Sequence, residues 1–227
     1  MRGKATTVML DVLRHMAAAV FFLVLAGCAA PPSAADSAKI DRVLLLIGER
    51  LSYMDDVARN KWNSGAPIED LPREREIIDG LGRQAADYGL DAGTARDFFR
   101  AQIEASKTIQ RTRFAQWRAQ NQPPFKNPRD LRDTIRPALD ALTPELMKSL
   151  AAAVPVLQTP GAAELVEARA RVIVTVDASD RAARDEAIAP LVQIAGKRAE
   201  PAQRKAYSAF SPTVCTTRAQ RAWSALT

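Results

Sequence analysis

The sequence has few of the residues that metal sites, disulfides and acid–base catalysis need. Its 227 residues include one histidine, His15, and two cysteines, Cys28 and Cys215. His15 lies in an N-terminal segment that we predict is removed, which leaves no histidine for proton transfer or metal binding. This inventory excludes a zinc site. If Cys28 is lipidated, as argued below, Cys215 is unpaired and no disulfide framework exists.

Glycine is also scarce, with 10 residues, whereas alanine, the strongest helix former, is abundant. This composition favours long helices. The length suggests one large domain or two small ones. We therefore predict an all-α fold, a helical bundle.

The N-terminus has the layout of an export signal. Basic residues come first: Arg2, Lys4 and Arg14. The apolar run Met16–Ala26 has 11 residues, and a bilayer span needs about 20. The run ends in Leu25-Ala26-Gly27-Cys28. This end resembles the bacterial lipobox, in which the cysteine is lipidated and becomes the new N-terminus.

We predict a signal peptide at residues 1–27, a lipid on Cys28 and a flexible tether at residues 28–36. The competing interpretation is ordinary signal cleavage, for example after Ala35, which would release a soluble protein. Either route takes the protein out of the cytoplasm, to the periplasmic or outer-envelope side.

The chain is basic, with a formal net charge of +6. Residues 1–27 contain three basic residues and Asp11, so their removal lowers the charge to +4. Export argues against nucleic acid as the partner of this charge. A small anionic substrate fits better.

Helical periodicity and capping residues predict three helices before residue 121. They run from Ser37 to Trp62, from Asp70 to Gly89 and from Asp91 to Gln120, with Asp36 or Ser37 capping the first. Residues 122–128 are predicted to be an extended linker. After it we expect helices broken at five prolines: Pro155, Pro160, Pro190, Pro201 and Pro212. The segment 172–176 has strand-like composition, but we predict helix because an alanine-rich helical pattern precedes it.

Polar residues interrupt the apolar stripes of all three helices. Arg50 and Lys61 are 11 residues apart on the first helix, which is close to three turns, so they project in nearly the same direction. The other polar members are Glu74, with Arg73 beside it, on the second helix, and Ser106 and Gln110 on the third.

Each of these residues has an ordinary structural explanation. The two cations can extend out of the bundle edge, Ser106 and Gln110 can satisfy each other or the backbone, and Glu74 suits the first turn of a helix. Considered together, the residues favour a functional explanation over these structural ones, because three helices direct polar groups along their apolar faces. Such a lining is expected for an enclosed pocket that holds a small dianion.

The same residues resemble the exported, gamma subclass of the all-helical, AroQ-type chorismate mutases. One half of the resemblance lies in Glu49-Arg50-Leu51, Lys61-Trp62 and the segment from Pro67 to Arg73. The other half is Phe99-Arg100-Ala101-Gln102-Ile103-Glu104-Ala105-Ser106 through Gln110. Arg136-Pro137-Ala138-Leu139-Asp140 resembles the segment that supplies the exported subclass with an arginine from its own chain.

The resemblance implies a role for each matching residue. Arg50 and Arg136 would bind the two substrate carboxylates, with help from Ser106. Lys61 would contact a carboxylate and the ether oxygen of the breaking bond, and Gln110 would donate to the same oxygen. Further contacts are expected from Glu74 and the backbone at Arg73, which would hold the ring hydroxyl, and from Asp70, which would orient Lys61.

The implied reaction is the intramolecular rearrangement of chorismate to prephenate, which needs no cofactor or metal. No proton moves, so the lack of histidine is no objection. The enzyme has to select the compact conformer and stabilise charge on the ether oxygen. Residues 37–142 would form the catalytic helices, and residues 143–227 a C-terminal helical region packed on them.

Two departures from the family pattern concern a disulfide and the pH behaviour. Some exported members have a C-terminal disulfide, for which Cys215 has no partner here. Some have glutamate at the position of Gln110 and glutamine near Ile77. Because glutamine donates at any ordinary pH, we expect activity to be nearly flat between about pH 5 and 8.

Two other functions are compatible with the sequence. The first is a non-catalytic envelope lipoprotein that binds partners, and its function would not depend on Lys61 or Gln110. The second is a degenerate mutase that binds chorismate-like acids without turnover. The resemblance also allows a homodimer, which the residues themselves do not indicate.

Overall fold

The computed structural model describes residues 33–209, with side chains to residue 196. Cys28, Cys215, Pro212 and the predicted signal peptide lie outside these residues. The described part forms seven α-helices and no strand, so the predicted all-α fold is confirmed. The helices are α1 (Ala34–Ser52), α2 (Met54–Ser64), α3 (Leu71–Gln84), α4 (Ala92–Ala119), α5 (Arg136–Leu157), α6 (Ala162–Ile173) and α7 (Arg181–Ala209).

The first predicted helix is two helices that meet at Tyr53. Tyr53 keeps right-handed dihedral angles, φ −76° and ψ −12°, so the interruption is short and Arg50 and Lys61 remain within one helical run. The predicted cap at Asp36 or Ser37 is wrong, because the Ser33 side chain accepts from the Asp36 N–H at 3.1 Å. The helix starts at Ala34, so residues 34–36 of the predicted tether are helical.

The third predicted helix agrees with α4 within one residue at each end, whereas the second agrees with α3 at its start but extends five residues beyond its end at Gln84. Asp70 caps α3 and Asp91 caps α4, and each carboxylate accepts a backbone N–H three residues later. A short 3₁₀ turn, Ala85–Tyr88, extends α3 and ends at Gly89, whose φ of 72° is left-handed. Local capping chemistry explains this agreement, because it depends only on neighbouring residues.

Three of the predicted proline breaks are wrong. Pro155 lies in the last turn of α5, and Pro190 and Pro201 lie inside α7. Proline at 190 lacks the N–H that would bond within the helix. The side-chain amide of Gln102 on α4 donates to the nearby Ala187 carbonyl at 2.8 Å. Burial of the α7 face that packs on α4 stabilises the helix.

The break at Pro160 is confirmed, because it separates α5 from α6. The helix predicted over 172–176 is correct only for its first two residues. The chain leaves α6 after Ile173, and Val174 has φ −85° and ψ 81°.

Helix α4 lies at the centre of the packing. It contacts α2 and α3 on the N-terminal side and α7 on the C-terminal side, while α1 packs on α5 and α6. Fully buried side chains join these helices into one core: Leu44, Ile47, Phe98, Leu146, Leu150 and Leu191. No helix of the described residues is long and apolar enough to cross a membrane.

The linker between α4 and α5 is held against α2. Asn63 donates to the Phe125 carbonyl and accepts from its N–H, both at 2.8 Å. Asn60 donates to the Arg129 carbonyl at 2.6 Å. Phe125 also packs on Trp117, with ring centroids 4.7 Å apart. The held linker leads into a π-helical turn, Leu131–Ile135, and then into Arg136 at the start of α5.

Candidate active site

Lys61 lies on α2, and its ammonium donates to the Ile68 carbonyl at 2.7 Å. Burial lowers the pKa of Lys61, the charges of Asp70 and Glu74 oppose that change, and the charges of Arg136 and Lys107 lower the pKa further. The charges of three other sequence-predicted site residues therefore act on Lys61.

The N-terminus of α3 is a capping box made by two of these residues. The Asp70 carboxylate accepts the Arg73 N–H at 3.2 Å, and the Glu74 carboxylate accepts the Asp70 N–H at 3.1 Å. The hydrogen-bond partner of Lys61 is therefore Ile68, and Asp70 acts on Lys61 through its charge. The Arg73 side chain is exposed and pairs with Glu76 at 2.7 Å, so only its backbone faces the cluster.

The structure adds Lys107, which the sequence interpretation missed. Its side chain is 7% exposed and pairs with Glu74 at 2.9 Å and with Glu104 at 2.7 Å. Burial acts to lower the pKa of Lys107, but the bonds to Glu104 and Glu74 outweigh it and the net change is upward. The sequence feature that could have identified Lys107 is its position directly after Ser106, a predicted site residue. Its partner Glu74 is on another helix, 33 residues away.

Arg50 lies on α1, and Arg136, which is exposed, begins α5. Arg50 is half-buried, and its Nε is fully buried without a hydrogen-bond partner among the described residues. Burial lowers the pKa of Arg50 to about 10, although the charge of Asp140 opposes this. Asp140 and Arg136 are one turn apart on α5, so the same turn supplies a charge that acts on Arg50 and one that acts on Lys61.

Ser106 and Gln110 are buried on α4, at 7% and 4% exposure. Both bond to their own helix: the Ser106 hydroxyl donates to the Gln102 carbonyl at 2.7 Å, and the Gln110 amide donates to the Ser106 carbonyl at 3.1 Å. The amide oxygen of Gln110 is buried without a partner in the described residues. Ser106 and Gln110 therefore bond to the backbone, which is the ordinary structural explanation given for this pair in the sequence analysis.

A separate cavity of about 380 Å³ contains none of the predicted site residues. Its charged lining is Asp55, Asp177, Asp180 and Arg113. Three carboxylates and one guanidinium give a negative lining, which disfavours a dianion. The described residues also contain no cluster of three or more side chains able to hold a metal ion.

Comparison with known proteins identifies the family of this chain. The family model "Chorismate mutase type II" matches residues 35–111. A secreted chorismate mutase of Mycolicibacterium smegmatis is 33% identical over 146 residues, which cover 64% of this chain and 80% of that protein. The chain belongs to the type II chorismate mutase family. The match from 35 to 111 spans α1 to the middle of α4.

Solved chorismate mutase structures extend the similarity into the C-terminal helices. The enzyme from Burkholderia phymatum superposes with a TM-score of 0.64 at 30% identity, over 69% of this chain and 98% of that one. The secreted chorismate mutase of Yersinia pestis gives 0.55 at 31% identity, over 67% and 96%. Because several relatives are named as secreted, this chorismate mutase functions outside the cytoplasm.

Proposed function

We propose that this exported chorismate mutase rearranges chorismate to prephenate in the cluster around Lys61, Arg50 and Arg136. The observation that carries the location is a set of three cations without carboxylate partners. In the described residues, none of these three side chains forms an ion pair, and Arg50 Nε is a buried donor without a partner. Burying an unpaired charge is costly, so the partly buried Arg50 and Lys61 suit an anionic ligand, and the exposed Arg136 is free to bind it.

The two arginines select the reactive conformer. Chorismate has two carboxylates, and the reaction needs the compact form in which the atoms that will bond are close. Arg50 and Arg136 enter from different helices, so each can bind one carboxylate and hold the ligand folded. The linker bonds of Asn60 and Asn63 support the placement of Arg136.

Lys61 and Gln110 stabilise the charge that develops on the ether oxygen as the carbon–oxygen bond breaks. Two fixed donors act there like an oxyanion hole. Lys61 is held by the Ile68 carbonyl at 2.7 Å. Gln110 must turn its amide from the Ser106 carbonyl toward the ligand, and Ser106 then assists a substrate carboxylate. Glu74 and the backbone at Arg73 hold the ring hydroxyl.

The test is loss of chorismate absorbance with the purified full chain, beside Lys61→Ala and Gln110→Ala. We expect wild-type turnover and a loss of about 100-fold or more in each variant. Arg171→Ala, at an exposed helical pair, is the matched control and should keep wild-type activity. No turnover by a folded wild-type protein would contradict the enzymatic function and favour a binding lipoprotein.

The location and assembly of the enzyme are further parts of the proposal. Cys28 carries a lipid that anchors the protein to the envelope, and Cys28→Ala should move it from the membrane fraction to the soluble fraction. Ordinary cleavage would leave the wild type soluble. The enzyme forms a homodimer, which light scattering tests directly, since a monomeric mass would refute it.

The division of labour within the chain also belongs to the proposal. Residues 37–142 supply the catalytic groups, and residues 143–227 support them. The contact of α7 with α4 supports this role, because α4 contains Ser106 and Gln110. The assignment predicts that substitutions after residue 142 alter stability more than turnover.

A further inference from the structure

We propose that Lys107 is a positioning residue of the reaction, which holds Glu74 in place and cancels its negative charge beside the dianionic substrate. The inference rests on the proposed function, and it concerns a residue that the family resemblance did not assign. It begins with the burial of Lys107, which is 5% exposed as a residue. A buried lysine needs partners to remain charged.

The partners of Lys107 connect two helices at the site. Its ammonium pairs across helices with Glu74 of α3 at 2.9 Å and within α4 with Glu104 at 2.7 Å. Glu74 is the more enclosed carboxylate, at 16% exposure against 37% for Glu104. The second oxygen of Glu74 accepts the Asp70 N–H at 3.1 Å. Glu74 is therefore fixed at both oxygens, and Lys107 holds the one that faces α4.

The charges around Glu74 explain why this pairing matters. The charge of Glu74 acts on Lys61 of α2, as do the charges of Asp70, at the start of the same helix as Glu74, and of Arg136 on α5. Glu69 also feels the charge of Lys107, although its bond partner is Arg111. With Glu104 included, the cluster contains four carboxylates. A substrate dianion would be repelled by Glu74 unless a neighbouring cation balanced it.

Loss of Lys107 should therefore leave Glu74 as an enclosed carboxylate without its cation. Such a group has a raised pKa. Lys107→Met should weaken substrate binding at pH 7.5, because Glu74 is then an uncompensated anion. Protonation of Glu74 at lower pH should restore binding. Ground-state repulsion appears mainly in KM, with less change in kcat.

The experiment is a double-mutant cycle of Lys107→Met and Glu74→Gln in the full chain, with chorismate kinetics from pH 5.5 to 7.5. At pH 7.5 we expect Lys107→Met to lower kcat/KM roughly 10- to 100-fold, with recovery toward pH 5.5. In the Glu74→Gln background the same substitution should cost less than about threefold. Lys107→Arg should retain most activity, and Lys148→Met, at the exposed Glu145 pair, should be unchanged.

Several results would contradict the proposed role of Lys107. A flat pH profile for Lys107→Met, or an equal loss with and without Glu74, would overturn the proposal, because Lys107 would then act independently of that carboxylate. If Lys107→Met does not fold, two other variants still test the proposal. The double variant removes the charges of both Lys107 and Glu74, and Lys107→Arg keeps both. Loss of activity in Lys107→Arg equal to that of the double variant would also count against it.

A stability measurement separates this proposal from the proposed function. In Lys107→Met an enclosed negative charge loses its cation, and that cost to the folded state is smaller at low pH than at high pH. The urea midpoint of Lys107→Met, relative to the double variant, should therefore rise from pH 7.5 to 5.5. A wild type without turnover would refute the function alone, whereas a pH-independent midpoint would refute the role of Lys107.

Discussion

Helix α4 contributes cations to two polar clusters that differ in their balance of charge. Arg113, whose side chain is 12% exposed, pairs with three carboxylates: Asp55 at 2.8 Å, Asp177 at 3.3 Å and Asp180 at 2.7 Å. Lys107 also has carboxylate partners, but the neighbouring Arg50, Lys61 and Arg136 have none in the described residues. One cluster is saturated by the protein, and the other retains unpaired cations.

This difference separates a structural cluster from a binding cluster. A cation with several carboxylates has no capacity left for a ligand, so Arg113 joins α4 to the segment before α7. Unpaired buried donors such as Arg50 Nε reduce stability unless an anion satisfies them. Natural active sites commonly lose stability in this way for the sake of function. Four predictions test the contrast.

The largest effect is expected at the saturated cluster. Arg113→Met leaves Asp180, which is 3% exposed, as a buried unpaired carboxylate. Breaking such a pair costs about 3–5 kcal/mol, which urea unfolding should show. Adding Asp180→Asn should recover part of the loss, and kcat/KM of the folded variant should stay within about twofold of wild type. An unchanged unfolding midpoint would contradict the structural role.

Arg50→Met should behave in the opposite way. Removal of a carboxylate-binding cation should lower kcat/KM by about 100-fold or more, or about 2.7 kcal/mol. Because Arg50 Nε has no partner, stability should hold or rise by about 1 kcal/mol. The two readouts are chorismate kinetics and urea unfolding. A destabilised variant with normal kinetics would place Arg50 in the structural class.

Asn63→Ala should change both the stability and the kinetics, each by a smaller amount. It removes two hydrogen bonds to the Phe125 backbone, worth about 1–2 kcal/mol of stability. The linker leads to Arg136, so KM should rise a few-fold while kcat changes less. Ser64→Ala, next to it on α2 and bonded only within its helix, is the control. Unchanged kinetics in Asn63→Ala would show that the linker does not position Arg136.

The smallest effect is expected from pH on the wild type. Activity should be nearly flat between about pH 5 and 8 and should fall on the alkaline side as Lys61 loses its proton. Since burial lowers the pKa of Lys61, that fall should be centred below the usual lysine value. Gln110→Glu should create an acid optimum, because a glutamate donates only when protonated. A steep rise toward acid in the wild type would contradict the role of Gln110.

Sequence reasoning succeeded where the chemistry is local. The helix starts at Asp70 and Asp91 were both predicted, and the cap at each start bonds a backbone N–H three positions away. Pro190 shows the reverse, since the helix continues through it where α7 packs on α4 and Gln102 of α4 donates to the Ala187 carbonyl. The interruption at Tyr53 also carries no sequence signal, because apolar residues keep helical spacing across it.

Long-range pairing explains the remaining differences at the site. The periodicity of α4 identified Ser106 and Gln110, but the burial of Lys107 depends on Glu74 from α3. The same limit applies to Lys61, whose acceptor is the Ile68 carbonyl and whose relation to Asp70 is electrostatic. Every residue has a backbone carbonyl, so no sequence motif identifies this acceptor.

The most direct test of the site's location is a crystal structure with a bicyclic dicarboxylate that mimics the compact conformer of chorismate. Our account predicts that its carboxylates contact Arg50 and Arg136 and that its ether oxygen lies near Lys61 and Gln110. Density for the ligand in the cavity lined by Asp55, Arg113 and Asp180 would contradict the account, because the saturated cluster would then be the binding site.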